Sequence, residues 1–221
     1  MSARAVIAEH DAEPVPGLPG PLPAGETILW QGAPEWRGLA RRALHVRGIA
    51  LYFGALALLR GVELSSGGAA PLEAALGALL LVAIGGVPVA LLLLFAGLAA
   101  RSTLYTITSR RIVLRAGVAL PMTINIPFAV IGSAGVARHA DGTGDLVVAI
   151  MPPHRVSWLA LWPHVRSFRL ARPEPMLRAL KDADVAAQVL SRALAAAASV
   201  PVPALDDAVP QRAPGRAEAM A

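Results

Sequence analysis

Hydrophobic positions change rhythm along this chain. From Ala74 to Ala100 an apolar run is uninterrupted by charge, longer than the roughly 20 helical residues that cross a bilayer core. A weaker run, residues 44–62, carries Arg47 and Arg60 near its ends. Its uncharged stretch from Gly48 to Leu59 covers only about 18 Å as helix, so both arginines must snorkel toward opposite interfaces for it to span. After Arg101 the period becomes two. Tyr105 and Ile107 alternate with Thr106 and Thr108, and Ile112/Leu114, Ile124/Ile126/Phe128, Leu146/Val148/Ile150 and Val156/Trp158 follow. Short alternating runs split by turns predict antiparallel strands. Ser109-Arg110 turns the first pair, and Asp141-Gly142-Thr143-Gly144 suits a hairpin connection because glycine supplies positive φ. Pro152-Pro153 ends a further strand. From Asp184 to Ala198 the spacing is helical again, with the stripe Ala186, Val189, Leu190, Ala193, Leu194 and Ala197 and Asp182 as candidate cap.

The pattern predicts an α+β membrane protein. A two-helix transmembrane hairpin is followed by six or seven antiparallel strands, closed by one C-terminal helix into a small split barrel or sandwich. Residues 1–24 read as a disordered segment rich in Ala, Pro and acid. Residues 25–43 are a juxtamembrane interfacial segment, in which Leu39, Ala43 and Val46 against Arg41, Arg42 and His45 predict an amphipathic lead-in. Spans at 44–62 and 74–100 enclose a periplasmic loop, 63–73. The headpiece occupies 101–198, and the proline-rich remainder, 199–221, reads as disordered. Pro88 should kink the second span. Ala50/Gly54 and Gly86/Ala90 are small residues four apart, which permits the two spans to pack closely.

Charge orients this arrangement. Arg37, Arg41, Arg42 and Arg47 precede the first run, and Arg101, Arg110, Arg111 and Arg115 follow the second, while the loop between carries only acids beyond Arg60. Both flanks and both termini are therefore expected in the cytoplasm, which requires an even number of crossings. No early apolar core marks a cleavable signal, so the first span would serve as its own insertion signal. Hydrophobic residues are 55% and mean hydropathy is +0.56, above the range of ordinary soluble proteins. The net charge of +5 fits anionic headgroups. Without a long basic run or an aromatic-rich RNA motif, nucleic acid is not an expected partner.

Candidate chemistry is sparse. With no cysteine, disulfides, thiolate metal sites and a cysteine nucleophile are excluded. The five histidines form no close pair suited to metal; Asp141 and Asp145, flanking a Gly-rich turn, have the charge to bind a cation, but turn chemistry explains them. There is no phosphate loop, dinucleotide fingerprint or catalytic set, so no enzyme activity is expected. His45, at the cytoplasmic edge of the first span, is the one candidate cofactor ligand, able to hold the magnesium of a chlorin such as bacteriochlorophyll; its plainer role is that of an interfacial polar residue. Trp162-Pro163-His164 reads either as a strand ending at a proline turn, with Trp162 buried in the barrel, or as a docking surface. Trp30 and Trp36 suit partner hot spots or membrane-interface anchors.

Residues 101–117, with Tyr105-Thr106-Ile107-Thr108 meeting an Arg110-Arg111 turn and an apolar strand ending in Gly117, resemble the opening hairpin of the bacterial pleckstrin-homology-like domain found after membrane spans. Leu29-Trp30-Gln31-Gly32, residues 41–47, Gly142-Thr143-Gly144-Asp145 and Leu161-Trp162-Pro163-His164 together resemble PuhB-type photosynthetic complex assembly proteins of purple phototrophic bacteria, over roughly Leu18 to Leu194. The resemblance implies a non-enzymatic assembly factor for the reaction centre or its core light-harvesting partner in the cytoplasmic membrane. It implies photosynthetic subunits and membrane lipid as partners, and makes self-association plausible. Its recurring positions make Trp30, Trp36, Arg42, Trp162 and His164 the candidate partner contacts. The rival readings are a lipid- or stress-sensing membrane protein with the same headpiece, and a bacteriochlorophyll carrier.

Overall fold

The computed structural model describes residues 17, 18, 20–167 and 169–199. Two long helices, α2 (Val46–Ser66) and α3 (Pro71–Ser102), form an antiparallel hairpin and are long and apolar enough to cross a membrane. Both extend beyond the expected 44–62 and 74–100, and only residues 67–70 remain of the loop drawn at 63–73. The physical reasons lie at the turn. Glu63 stays in α2 by pairing with Arg60 at 2.7 Å. Pro71 occupies the first turn of α3, where its missing N–H costs nothing, and Glu73 beside it faces the positive helix end. Pro88 lies inside α3 without ending it.

Leu51, Leu58, Leu80, Val87 and Leu91 are all exposed, so the hairpin presents apolar surface outward. Such an area would drive association in water and is at home in lipid. The two helices meet where a side chain is missing. Gly85 receives the ring of Phe53, Gly77 receives Leu64, and Gly61 lies against Ala78. Gly54 and Gly86, expected at this contact, instead face open space. One residue is about 100° of rotation on a helix, and the bulk of Phe53 selects Gly85 over its neighbour.

The headpiece holds two antiparallel sheets. The first has the order β1 (Ile28–Gly32), β2 (Leu104–Thr108), β3 (Arg111–Ala116), β4 (Met122–Pro127). The second runs β5 (Ile131–Arg138), β6 (Gly144–Ile150), β7 (Met176–Leu180). A helix, α5 (Ala183–Ser199), closes the core. Tyr105, Ile107, Ile112, Leu114, Ile126, Leu146, Val148, Leu177 and Leu180 are buried there beneath Ala186, Leu190 and Ala193 of α5. The turns at Ser109-Arg110 and at Gly142 (φ +77°) stand where the sequence puts them.

Three expectations are corrected. Residues 28–32 are not an interfacial segment but the first strand of the headpiece, with Trp30 opposite Ile107 and Gly32 opposite Tyr105. The apolar helical hairpin is thus inserted between two neighbouring strands of one sheet. Residues Trp158–Leu161 form a short helix, α4, instead of a strand; backbone bonds from Leu161 to Ser157 and from Trp162 to Trp158 turn the chain before it can pair. The segment 1–24 is not wholly loose, because Leu18 is fully buried. Residues 1–16 and 19, and the tail after Ser199, for which disorder is expected, fall outside the described residues.

Candidate functional site

The features that set this chain apart gather where the headpiece meets the near end of the hairpin. After β1 the chain forms α1 (Trp36–Gly38), which continues through Leu39–Ala43 as a widened helical turn closed by a bond from the Leu44 N–H to the Leu39 carbonyl. His45 then takes a left-handed conformation (φ 53°), so the connector breaks before α2 instead of running into it. Its apolar side is shifted from the expected Leu39, Ala43 and Val46: Val46 joins it, Ala43 is only partly buried against it, and Leu39 is buried outside it. Ala40, Leu44 and Val46 are buried against Ala96, with Val89, Leu92 and Phe95 of α3 around them.

The polar side of the connector is clasped by the β5–β6 turn. Arg42 donates to Asp141 Oδ2 at 2.8 Å and to Thr143 Oγ1 at 2.6 Å, and Arg41 approaches the same carboxylate at 2.9 Å. Thr143 also donates its hydroxyl to Asp141. That bond, and then Arg42, hold the Asp141 carboxyl well below its usual range. Arg41 and Arg42, expected to meet headgroups, are thus engaged within the protein, while the guanidinium of Arg37 lies over the exposed ring of Trp36.

A second contact comes from the segment after α4. The indole of Trp162 stacks on Phe95 of α3, with ring centroids 5.4 Å apart, and remains 41% exposed. Two residues on, His164 is buried. Tyr105 Oη accepts the Arg178 backbone N–H at 3.2 Å, which leaves the tyrosine proton for His164 Nδ1 at 2.6 Å. Nε2 of the imidazole therefore carries its hydrogen and donates to Thr103 Oγ1 at 3.1 Å. Burial first, and then the charge of Arg178, push the His164 pKa down to about 3, while burial pushes the Tyr105 hydroxyl upward. This ladder ties β7 and the Trp162 turn to Thr103, the residue that follows α3.

The candidate residues therefore divide. Trp36 and Trp162 are exposed at the seam, and Arg42 spans it. Trp30 and His164 are interior, so they hold the fold and offer no surface to a partner. The Trp30 indole N–H is taken by Asp182 Oδ2 at 2.8 Å, which also diverts that carboxylate from the capping role expected of it. The Trp162 ring, expected inside the barrel under the plainer reading, lies on α3. His45 is exposed. Its neighbours Leu44 and Val46 turn into the cluster on α3, and among the described residues no hydrogen bond or ring contact fixes the imidazole as a ligand.

Sequence reasoning missed Phe95, Asp141 and Thr143 as seam residues, since nothing local marks a contact between distant segments. It also missed Glu26, a buried carboxylate that accepts from Arg111 through both oxygens at 2.9 and 3.1 Å and from Thr108 at 2.7 Å. Among the described residues no group of three His, Asp or Glu stands ready for a metal ion. The polar clusters are tied to structural partners, and what the seam offers is rigid attachment of the headpiece to the hairpin.

Comparison with known proteins agrees with this anatomy. The profile of a family described as "Bacterial PH domain" matches residues 51–194. A relative from Rhodobacter capsulatus, described as an "uncharacterized 23.7 kDa protein in puhA 5′ region", is 39% identical over 198 residues, covering 87% of this chain and 91% of its own length. No solved structure matches.

Proposed function

Because this chain belongs to the bacterial PH domain family and has a relative from the puhA region at that identity, we propose that it is a non-enzymatic membrane scaffold for assembly of the photosynthetic reaction centre or its core light-harvesting complex. The observation that carries the reading is the position of that relative in the 5′ region of puhA, a locus that points to photosynthesis. The tryptophan- and histidine-bearing stretches shared with PuhB-type proteins give it the finer form.

In this reading the hairpin stands beside a nascent pigment–protein subunit, and the exposed seam around Trp36 meets its cytoplasmic surface. A transient client needs only a small interface. Pairing of β1 with β2 supports the expected topology. These strands flank the hairpin and share one sheet, so a chain that crosses the bilayer must come back to the side it left. Arginines on both flanks favour the cytoplasmic side.

Deletion of the gene, with a plasmid-borne copy as control, is expected to lower assembled reaction centre while pigment synthesis continues. Normal reaction-centre levels in the deletion strain would overturn the proposal.

A further inference from the structure

We infer that the headpiece has a foothold of its own in the bilayer: the turn around α4, led by Leu159 and Trp162, enters lipid at the boundary between headgroups and acyl chains. This goes beyond the scaffold reading and is independent of which client is bound. It rests on the crossing of the membrane by α2 and α3.

The depth of the turn follows from the register of the hairpin. Phe53 lies midway between Arg47 and Arg60 on α2 and packs on Gly85 of α3. A hydrocarbon core of roughly 20 helical residues centred on that contact ends near Phe95 on α3. Arg101, the first charged residue beyond it, lies about 9 Å farther along the helix. Trp162 is stacked flat on Phe95, so its ring sits where the core meets the headgroups, the level at which tryptophan is enriched. Leu159 stands three positions earlier, in the single turn of α4 that the Trp162 N–H closes on the Trp158 carbonyl, a spacing that sets the two side chains on neighbouring faces, and is 78% exposed. Exposed His154 and Arg155 precede it and suit headgroup phosphates.

Lipid is the occupant because the patch continues an apolar surface that already faces it. Leu94 and Leu98, on the turns of α3 that flank Phe95, are exposed as well. A large aliphatic residue left bare beside a tryptophan at this depth finds acyl chains without any further partner.

The absence of cysteine makes single labels unambiguous. Full-length Leu159→Cys, Val87→Cys and Ser109→Cys proteins, each carrying an environment-sensitive fluorophore, would be reconstituted in phosphatidylcholine–phosphatidylglycerol vesicles. Phospholipids with a nitroxide placed shallow or deep in the acyl chain serve as quenchers. The Leu159 label is expected to be quenched several-fold more by the shallow nitroxide, the mid-helix Val87 label by the deep one, and the label on the distal Ser109 turn by neither. Trp162→Ala should reduce quenching at Leu159 and leave Val87 unchanged. A Leu159 label that behaves like Ser109 while Val87 is quenched overturns the foothold. An unquenched Val87 overturns the membrane crossing on which it rests, and protection of Leu159 only after a photosynthetic subunit is added assigns the surface to protein.

Discussion

Acid should loosen the headpiece through one imidazole. His164 has both ring nitrogens engaged inside the core and a pKa lowered to about 3, against about 6.5 in an unfolded chain. Between those values the unfolded state takes up a proton that the folded state refuses. Stability from this group is therefore complete above pH ~6.5 and is lost as pH falls through the window, reaching a limit of about 5 kcal/mol below pH ~3. From about pH 7.5 to about pH 5 the loss is about 2 kcal/mol, and this figure is set by the unfolded pKa, so it hardly depends on how far below 4 the folded value lies. Replacement by glutamine keeps a donor and an acceptor but removes the titration. His164→Gln should cost about 1–3 kcal/mol at neutral pH through poorer hydrogen bonding, then lose about 2 kcal/mol less than wild type on acidification. Urea unfolding of the full-length proteins in a zwitterionic detergent, followed by tryptophan fluorescence at both pH values, gives the comparison, and the exposed histidines cancel in it. If wild type and variant weaken equally on acidification, the interior neutral imidazole is not the acid-sensitive element.

Two further outcomes follow from packing. Gly85→Ala should push Phe53 and separate the hairpin at a cost of about 1–3 kcal/mol, whereas Gly86→Ala, which faces open space, should be tolerated. The yield of a disulfide between Gly61→Cys and Ala78→Cys, whose β-carbon positions lie 3.7 Å apart, reads this directly: it should fall with the first change and hold with the second, and equal yields would refute the register. Glu26→Ala leaves Arg111 and Thr108 without their shared carboxylate and should lower headpiece stability by about 3 kcal/mol; an unchanged thermal transition would show that the pair contributes little.

Much of this architecture is legible from local rhythm, and the exceptions share a cause. The long uncharged run, the Tyr105–Leu114 hairpin, the Gly142 turn and the stripe of α5 each carry their pattern within a few residues. β1 does not, because its partner lies beyond the whole helical hairpin and Trp30 resembles an interfacial anchor when read beside Trp36 and the arginines. β7 escapes for the opposite reason: all five of its residues are buried, so no alternation survives. Arg178 in its middle reads as a surface charge, yet it donates to the Val165 carbonyl inside the core. Within the seam, Arg42 was legible as a basic residue near the membrane, but its engagement by Asp141 and Thr143 depends on two turns meeting in space. Trp162 was legible as unusual, and only its stacking on Phe95 tells which way it faces.

The insertion of the hairpin between β1 and β2 also bears on biogenesis. The ribosome releases β1 first, and that strand has no mate until everything from Gly32 to Leu104 has emerged and both helices have settled. If the two helices cross the bilayer as proposed, a chain in which only one of them inserts leaves the two strands on opposite sides, each with an open edge. On the proposed topology, completing the sheet requires that the chain return to the side it left, whichever way the hairpin faces.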